Sequence, residues 1–139
     1  MDVKLIAAKP ISSLILEAEV YRCGPNSTIR GVLKVLIEQN IGAVVIVDPD
    51  DKPIGIFTER DYLKKLAFLE KSPLDDTIEL HMTTNPRCLS ATDEVIKAMT
   101  AMRAGRFRHI VIVDDSGKLA GIVSIKDVIN FIVDQLTLP

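Results

Sequence analysis

The chain has 139 residues, of which 17 are lysine or arginine and 19 are aspartate or glutamate, so its formal net charge is −2. This balance excludes a global field that would recruit nucleic acid or an anionic membrane, and any anion site has to be local. A unit of about 60 residues buries little apolar surface. If the chain consists of two such units, we expect them to share a core.

The cysteines and the first residues indicate the compartment. Cys23 and Cys88 form no C-x-x-C pair, which favours a reducing cytosol over a secreted fold held by disulfides. The first residues lack the apolar core of a signal peptide, and no apolar run approaches the ~18 residues that a spanning helix needs. We expect a soluble, cytoplasmic protein.

The first half of the chain reads as strand, helix, hairpin and helix. A short strand is predicted near 20–23, and the apolar side chains after Ser27, the expected N-cap, recur at helical spacing. Two apolar runs, 44–47 and 54–57, flank a polar turn and predict a β-hairpin. A second helix follows. The apolar positions of the two helices are Ile29, Val32, Leu33, Leu36, Ile37, Tyr62, Leu63, Leu66 and Ala67.

The second half repeats the first at an offset of 66 residues without a gap. Between positions 41 and 63, eight residues are identical to their counterparts at that offset. The repeated elements are a strand near 87–89, a helix after Asp93, the N-cap expected there, a hairpin at 110–113 and 119–123, and a helix at 128–133. Its first helix carries Val95, Ala98, Met99 and Met102 on the apolar face.

The repeat predicts an α+β fold of two pseudo-symmetric β-α-β-β-α units. We expect the units at 10–70 and 77–137, with a linker at 71–76. Helices alternating with hairpins indicate small sheets, each covered by helices on one face.

One motif occurs twice where a strand gives way to a helix. It is Gly55-Ile-Phe-Thr58-x-x-Asp61 in the first copy and Gly121-Ile-Val-Ser-x-x-Asp in the second. The hydroxyl and carboxylate can form a capping box that satisfies the first N–H groups of the helix. The glycine would also let another group approach the strand, and Arg60 adds a cation at the helix N-terminus, where anions bind. A carboxylate can also accept hydrogen bonds from ribose hydroxyls, so a ribose-phosphate site is the second interpretation.

These motifs resemble a tandem pair of CBS domains, a family named for cystathionine β-synthase. The residues that carry the resemblance are the two Gly-h-h-[Ser/Thr]-x-x-Asp motifs, the two strands ending in Val-Asp, and the segment Met82–Pro86, and it covers residues 10 to 137. The resemblance implies two units packed through their sheets into one module, with AMP, ADP, ATP or S-adenosylmethionine bound in the clefts between them. It also implies a homodimer.

The resemblance also assigns roles to residues. Asp61 and Asp127 would hold ribose, and Thr58 and Ser124, with the neighbouring Arg60 and Lys126, would hold phosphate. The base pockets would be lined by Ile41, Gly42, Ala43, Phe107 and Ile110.

The two copies differ most at one place. Where the first copy has Gly42-Ala43, the second has Arg108-His109, with Arg106 two residues earlier. The cluster is either a solvated basic turn or a phosphate contact, since arginine suits bidentate recognition of phosphate. The other histidine of the sequence, His81, does not lie at a metal-ligand spacing from His109, so we expect no metal.

The chain lacks the sequence motifs of catalysis. There is no phosphate-binding loop of the G-x-x-x-x-G-K-[ST] type, no G-x-S-x-G and no H-E-x-x-H. We therefore predict a non-enzymatic sensor that binds an adenine nucleotide and passes its state to a partner protein. The alternatives are a ligand-free interaction module that only dimerises or docks, an S-adenosylmethionine-binding module, and a nucleic-acid-binding module. The balanced charge does not favour the last of these.

Overall fold

A computed structural model describes residues 2–14 and 20–137. The chain divides into two compact units, Tyr21–Pro86 and Met1–Val20 together with Arg87–Pro139. We call them the first unit and the second unit. The units do not follow the repeat boundaries, because the segment that precedes each copy lies with the other copy.

The first unit is a four-stranded sheet with helices. Its strand order is β1-β2-β3-β4, in which β1 is parallel to β2 and the other neighbours are antiparallel. The elements are β1 (Arg22–Cys23), α2 (Ile29–Glu38), β2 (Ala43–Val47), β3 (Pro53–Thr58), α3 (Glu59–Asp61), a π-helix (Tyr62–Leu66), a 3₁₀ turn (Ile78–Leu80) and β4 (Thr83–Thr84).

The second unit has a three-stranded sheet of order β5-β6-β7, with β5 parallel to β6 and β6 antiparallel to β7. Its elements are α1 (Val3–Ala7), a 3₁₀ turn (Ile11–Ser13), β5 (Cys88–Ser90), α4 (Val95–Gly105), β6 (His109–Val113), β7 (Leu119–Ser124) and α5 (Ile125–Thr137). The α+β class and the repeated hairpins are confirmed.

Three local predictions need correction. The N-cap of α2 is Thr28 rather than Ser27, and its hydroxyl accepts the N–H of Gly31 at 3.1 Å. The N-cap of α4 is Glu94 rather than Asp93, which instead accepts the N–H of Ser90 at 2.8 Å. The second helix of the first copy changes to a π-helix after one turn, where Ala67 N–H bonds to the Tyr62 carbonyl, five residues back.

The identical Val-Asp ends of β2 and β6 are explained by the hairpin turns. Asp48 Oδ1 accepts the N–H groups of Asp50 and Lys52 at 2.9 and 3.0 Å. Asp114 Oδ1 accepts the equivalent pair at 2.8 and 3.0 Å. The repeated aspartates therefore close turns.

The constant offset of 66 fails in the two segments that precede β1 and β5, which we call the lead-ins. Pro10 bridges Glu94, and Thr77 bridges Thr28, so the lead-ins correspond at an offset of 67 although their partners correspond at 66. The first copy has one extra residue between its 3₁₀ turn and its first strand. The sequence also departs here from the second copy, with Leu16–Glu19 where the second copy has Met82–Asn85, and these four residues lie outside the described part of the chain.

Each unit has an apolar cluster of its own. In the first unit Phe57 and Ile46 lie at the centre, and Ile78 of the lead-in joins them. In the second unit Ile110 and Ile112 pack with Ile11 of the N-terminal segment. The lead-ins are therefore part of the fold.

Gly55, the first residue of the first motif, is approached by another side chain of the chain itself. A Cβ built at this position would lie 2.3 Å from Met82 Sδ and 2.8 Å from Met82 Cγ. Gly55 pairs with Thr84 across β3 and β4, which brings the methionine over the strand. The glycine therefore makes room for the lead-in.

We expect Gly55→Ala to lower the free energy of unfolding by about 1–3 kcal/mol, because the methyl group overpacks against Met82. Adding Met82→Ala should make the double variant more stable than the sum of the two single changes implies. Gly24→Ala is the control, since a Cβ there meets nothing within 4 Å. Chemical denaturation measures all four; additive losses would contradict the contact.

We expect a pH-dependent contribution from Asp93. The Ser90 N–H, and then Lys97, hold the pKa of its carboxyl below the ordinary value. A lowered pKa stabilises the fold above the unfolded pKa, and this is lost as pH falls through the folded value. Asp93→Asn should therefore cost less than about 1 kcal/mol at pH 7, because the group is partly exposed. Denaturation at several pH values should show that the difference in free energy of unfolding between Asp93→Asn and the parent disappears below about pH 4; a difference that persists to pH 2 would refute this.

Candidate functional site

Each repeated motif lies at a junction where a strand passes directly into a helix. β3 ends at Thr58 and α3 begins at Glu59. β7 ends at Ser124 and α5 begins at Ile125. The chain is extended at Thr58, with φ −117° and ψ 159°, and turns helical at the next residue.

Both motifs form the capping box. Thr58 N–H donates to Asp61 Oδ2 at 3.0 Å, and Asp61 N–H donates to Thr58 Oγ1 at 3.0 Å. Ser124 N–H donates to Asp127 Oδ2 at 2.8 Å, and Asp127 N–H donates to Ser124 Oγ at 3.1 Å. The first interpretation of the motif is thus confirmed. It leaves the Oδ1 of each carboxylate and the proton of each hydroxyl for another partner.

The start of the preceding strand lies beside each motif. Ala43 pairs with Thr58, and Glu59 N–H donates to the Gly42 carbonyl at 3.0 Å.

The second copy repeats this geometry. His109 pairs with Ser124, and Ile125 N–H donates to the Arg108 carbonyl at 2.9 Å. The structure therefore brings Gly42-Ala43 to one motif and Arg108-His109 to the other, each within its own unit.

The N–H groups at the junction already have acceptors. Those of Thr58, Glu59 and Asp61 all bond within the protein, as do those of Ser124, Ile125 and Asp127. An incoming phosphate would therefore depend on hydroxyl and cationic side chains more than on the helix backbone.

The residues assigned to base pockets differ in exposure. Ile41 and Gly42 are half-buried, whereas Ala43 is buried and Ile110 has no exposed surface. Any contact that Ile110 makes with a ligand would therefore use its backbone. Phe107 is half-buried against the core cluster of the second unit, and its ring lies over Gly105.

Three cations lie in the second motif or in the segment that leads into β6 beside it. Arg106, Arg108 and Lys126 are exposed, and none of them forms an ion pair within residues 2–14 and 20–137. Arg106 caps α4 in the left-handed conformation, at φ 55° and ψ 36°. Its counterpart, Asn40, has φ 52° and is a residue type that tolerates this conformation better.

Sequence reasoning missed Lys65. Its Nζ lies 3.5 Å from Asp61 Oδ1 and 3.4 Å from Thr83 Oγ1 on β4. The signal was present in the sequence, because an aspartate and a lysine four residues apart on a helix face each other.

Neither metal binding nor thiol chemistry is indicated. Among the residues that the structure describes, no group of three or more His, Cys, Asp or Glu could hold a metal ion. Both cysteines are thiols rather than half-cystines. Burial raises the pKa of Cys23 and of Cys88, which keeps both protonated and poorly nucleophilic at neutral pH.

No helix within the described part of the chain is long and apolar enough to cross a membrane; the longest, α5, has 13 residues.

The fold and the twin motifs agree with the comparisons. The sequence model of the CBS domain matches residues 11–68 and 77–134, so the chain belongs to the CBS domain family. An uncharacterised 17.7 kDa protein of Acidianus ambivalens is 35% identical over 126 residues, which are 91% of this chain and 75% of that protein. The chain spans 56% of a mitochondrial CBS domain-containing protein of Arabidopsis thaliana and 59% of an uncharacterised protein of Methanopyrus kandleri.

Solved structures show the same architecture. A CBS-domain-containing protein of Agrobacterium tumefaciens has 34% identity and a TM-score of 0.81, over 89% of this chain and 93% of that one. A CBS domain protein of Pyrobaculum aerophilum complexed with AMP has 27% identity and a TM-score of 0.80, over 94% and 100%. A CBS domain pair in complex with 5′-methylthioadenosine and S-adenosyl-L-methionine has 26% identity and a TM-score of 0.81, over 92% and 98%.

Proposed function

We propose that the chain is a non-enzymatic regulatory module that binds an adenine nucleotide, AMP, ADP or ATP, through its Thr58–Asp61 and Ser124–Asp127 motifs. The observation that carries the proposal is the capping geometry itself. It holds each carboxylate rigidly while engaging only one of its oxygens, Oδ2, with a backbone N–H. Two related structures were solved with AMP and with S-adenosyl-L-methionine. Both ligands contain an adenosine moiety, which supports this class of ligand.

The chemistry of the motif suits a ribose. A carboxylate accepts hydrogen bonds only, and the vicinal 2′- and 3′-hydroxyls of ribose are two adjacent donors. Asp61 and Asp127 are fixed by their capping bonds, so little side-chain freedom would be lost on binding.

Phosphate would be held beside the ribose by the hydroxyl and the cations. Ser124 Oγ accepts from Asp127 N–H and still has its own proton to donate. The carbonyl of Arg108 accepts the N–H of Ile125, the residue after Ser124, so Arg108 lies at the junction. Lys126 lies within the motif itself. A guanidinium bond to phosphate is about twice as strong as a neutral hydrogen bond.

S-adenosylmethionine is the second candidate ligand, supported by the related pair that was solved with it. Its sulfonium is positive, so exposed Arg106, Arg108 and Lys126 would repel it from the second motif. A thermal-shift series with adenosine, AMP, ADP, ATP and S-adenosylmethionine separates the candidates, since a ligand at about 100 times its dissociation constant adds about 2.7 kcal/mol of stability. No shift with any of them would favour a ligand-free interaction module.

We further place the protein in the cytoplasm, because its two protonated thiols suit a reducing compartment. Its output is proposed to pass to a regulated partner protein.

Exchanging the cationic pair of the second copy for the small pair of the first should change ligand preference. We expect Arg108→Gly with His109→Ala to weaken AMP binding about tenfold or more, with adenosine affected less than about twofold. Calorimetry at two salt concentrations measures both ligands, and the preference of the parent for AMP should fall as salt rises. Lys118→Ala is the control, since this exposed lysine lies at the far end of the β6–β7 hairpin. An unchanged ratio of the affinities for AMP and adenosine would show that the phosphate is bound by other residues.

We also expect a homodimer. One face of α5 carries apolar side chains that are about half exposed in the single chain, at helical i, i+4, i+8 and i+11 positions. They are Ile125, Ile129, Val133 and Leu136. Light scattering at micromolar concentration should give twice the chain mass of 15.3 kDa, and Ile129→Asp with Val133→Asp should reduce it. A monomer at high micromolar concentration would refute the proposal.

A further inference from the structure

The two motifs differ at the carboxylate oxygen that capping leaves open. In the first unit, Asp61 Oδ1 faces Lys65 Nζ at 3.5 Å, and the Asp61 side chain is only 19% exposed. Lys65 is held from its other side by Thr83 on β4.

The second unit lacks this lysine. The position that corresponds to Lys65 is Phe131, which is half-buried against the core cluster. Asp127 is exposed, and among the described residues its Oδ1 has no ion-pair partner. A ribose can therefore reach Asp127 without displacing a side chain.

The surrounding charge differs in the same direction. The second motif has three exposed cations, Arg106, Arg108 and Lys126. The corresponding positions of the first motif are Asn40, Gly42 and Arg60, so only one of these three is a cation there; its other cation, Lys65, is paired with Asp61.

Resting on the proposed function, we propose that the Ser124–Asp127 motif is the principal nucleotide site, and that Lys65 shields Asp61 and keeps the first motif weak. An exposed ion pair contributes little, so removing Lys65 should strengthen the first motif only about two- to threefold. Because the first motif lacks the guanidinium contacts, its affinity for a phosphorylated ligand should be lower by about tenfold or more. The contacts between the arginines and the phosphate therefore account for most of the difference in affinity between the motifs, and the shielding by Lys65 adds to this difference.

The test uses matched Asn variants in the full chain, because Asn still offers an oxygen to the capping N–H. Calorimetry with AMP should give one tight site per chain. Asp127→Asn should weaken that site at least about tenfold, and several times more than Asp61→Asn does. Circular dichroism checks that both variants keep the parent fold.

The shielding by Lys65 is measured with adenosine, which carries no phosphate that a lysine could attract. In the Asp127→Asn background, Lys65→Gln should raise the remaining affinity about two- to threefold, while Lys64→Gln, an exposed neighbour, should not. Equal responses of the two lysine variants would overturn the shielding.

The outcomes separate this inference from the proposed function. If Asp61→Asn abolishes the tight site and Asp127→Asn does not, adenine nucleotides bind but the assignment of the motifs is reversed, and the inference fails alone. If both Asn variants weaken binding equally, the motifs are equivalent and the inference again fails alone. If the parent binds neither AMP nor adenosine, the proposed function fails and the inference fails with it.

Discussion

The reciprocal pair of hydrogen bonds between the hydroxyl residue and the aspartate is the interaction on which each half of the molecule depends. It stops the last strand of the hairpin and starts the following helix within one residue, at Thr58 and at Ser124. A second contact adds to it, from the first helical N–H to the carbonyl of the residue before the neighbouring strand. Two adjacent strands and a helix are thereby fixed at one point.

The same arrangement explains why a structural cap can also serve as a binding site. The capping bonds engage one oxygen of the aspartate and one lone pair of the hydroxyl, and they restrict the rotation of both side chains. What remains is a carboxylate oxygen and a hydroxyl proton at a strand end, and these groups can bind a sugar and an anion. The two interpretations of the motif are therefore compatible.

The two copies have diverged where the fold sets few constraints. The core strands keep Val-Ile-Val in both copies, because β2 and β6 occupy the same buried position in their sheets. The positions beside the motifs have changed, from Gly42 to Arg108 and from Asn40 to Arg106. An arginine in the left-handed conformation costs about 1–2 kcal/mol more than a glycine would, so Arg106 is stored strain at an exposed position.

Much of the fold could be predicted from the sequence because its signals are local. The helical spacing of Ile29, Val32 and Leu36 and the apolar runs around the polar turns depend only on neighbours in the chain. The capping box could be predicted as well, since its two residues are three positions apart.

What sequence reasoning missed depends on contacts over distance. Met82 lies over Gly55, and Lys65 lies between Asp61 and Thr83, because β4 adds to the edge of the sheet. No periodicity in the chain indicates that a lead-in segment joins the other copy. The π-helix at Tyr62–Leu66 was also missed, since the residues there have ordinary helical propensities.

Amide NMR of the labelled chain can show whether an adenine nucleotide binds at the strand-to-helix junctions. On titration with AMP, we expect the N–H signals of Ser124, Lys126 and Asp127 to shift most, since Ser124 and Asp127 form the capping bonds and Lys126 lies between them. Signals of the β6–β7 turn, such as those of Ser116 and Lys118, should stay in place. Shifts that cluster at the turn, or anywhere away from both junctions, would show that the nucleotide does not bind at the motifs.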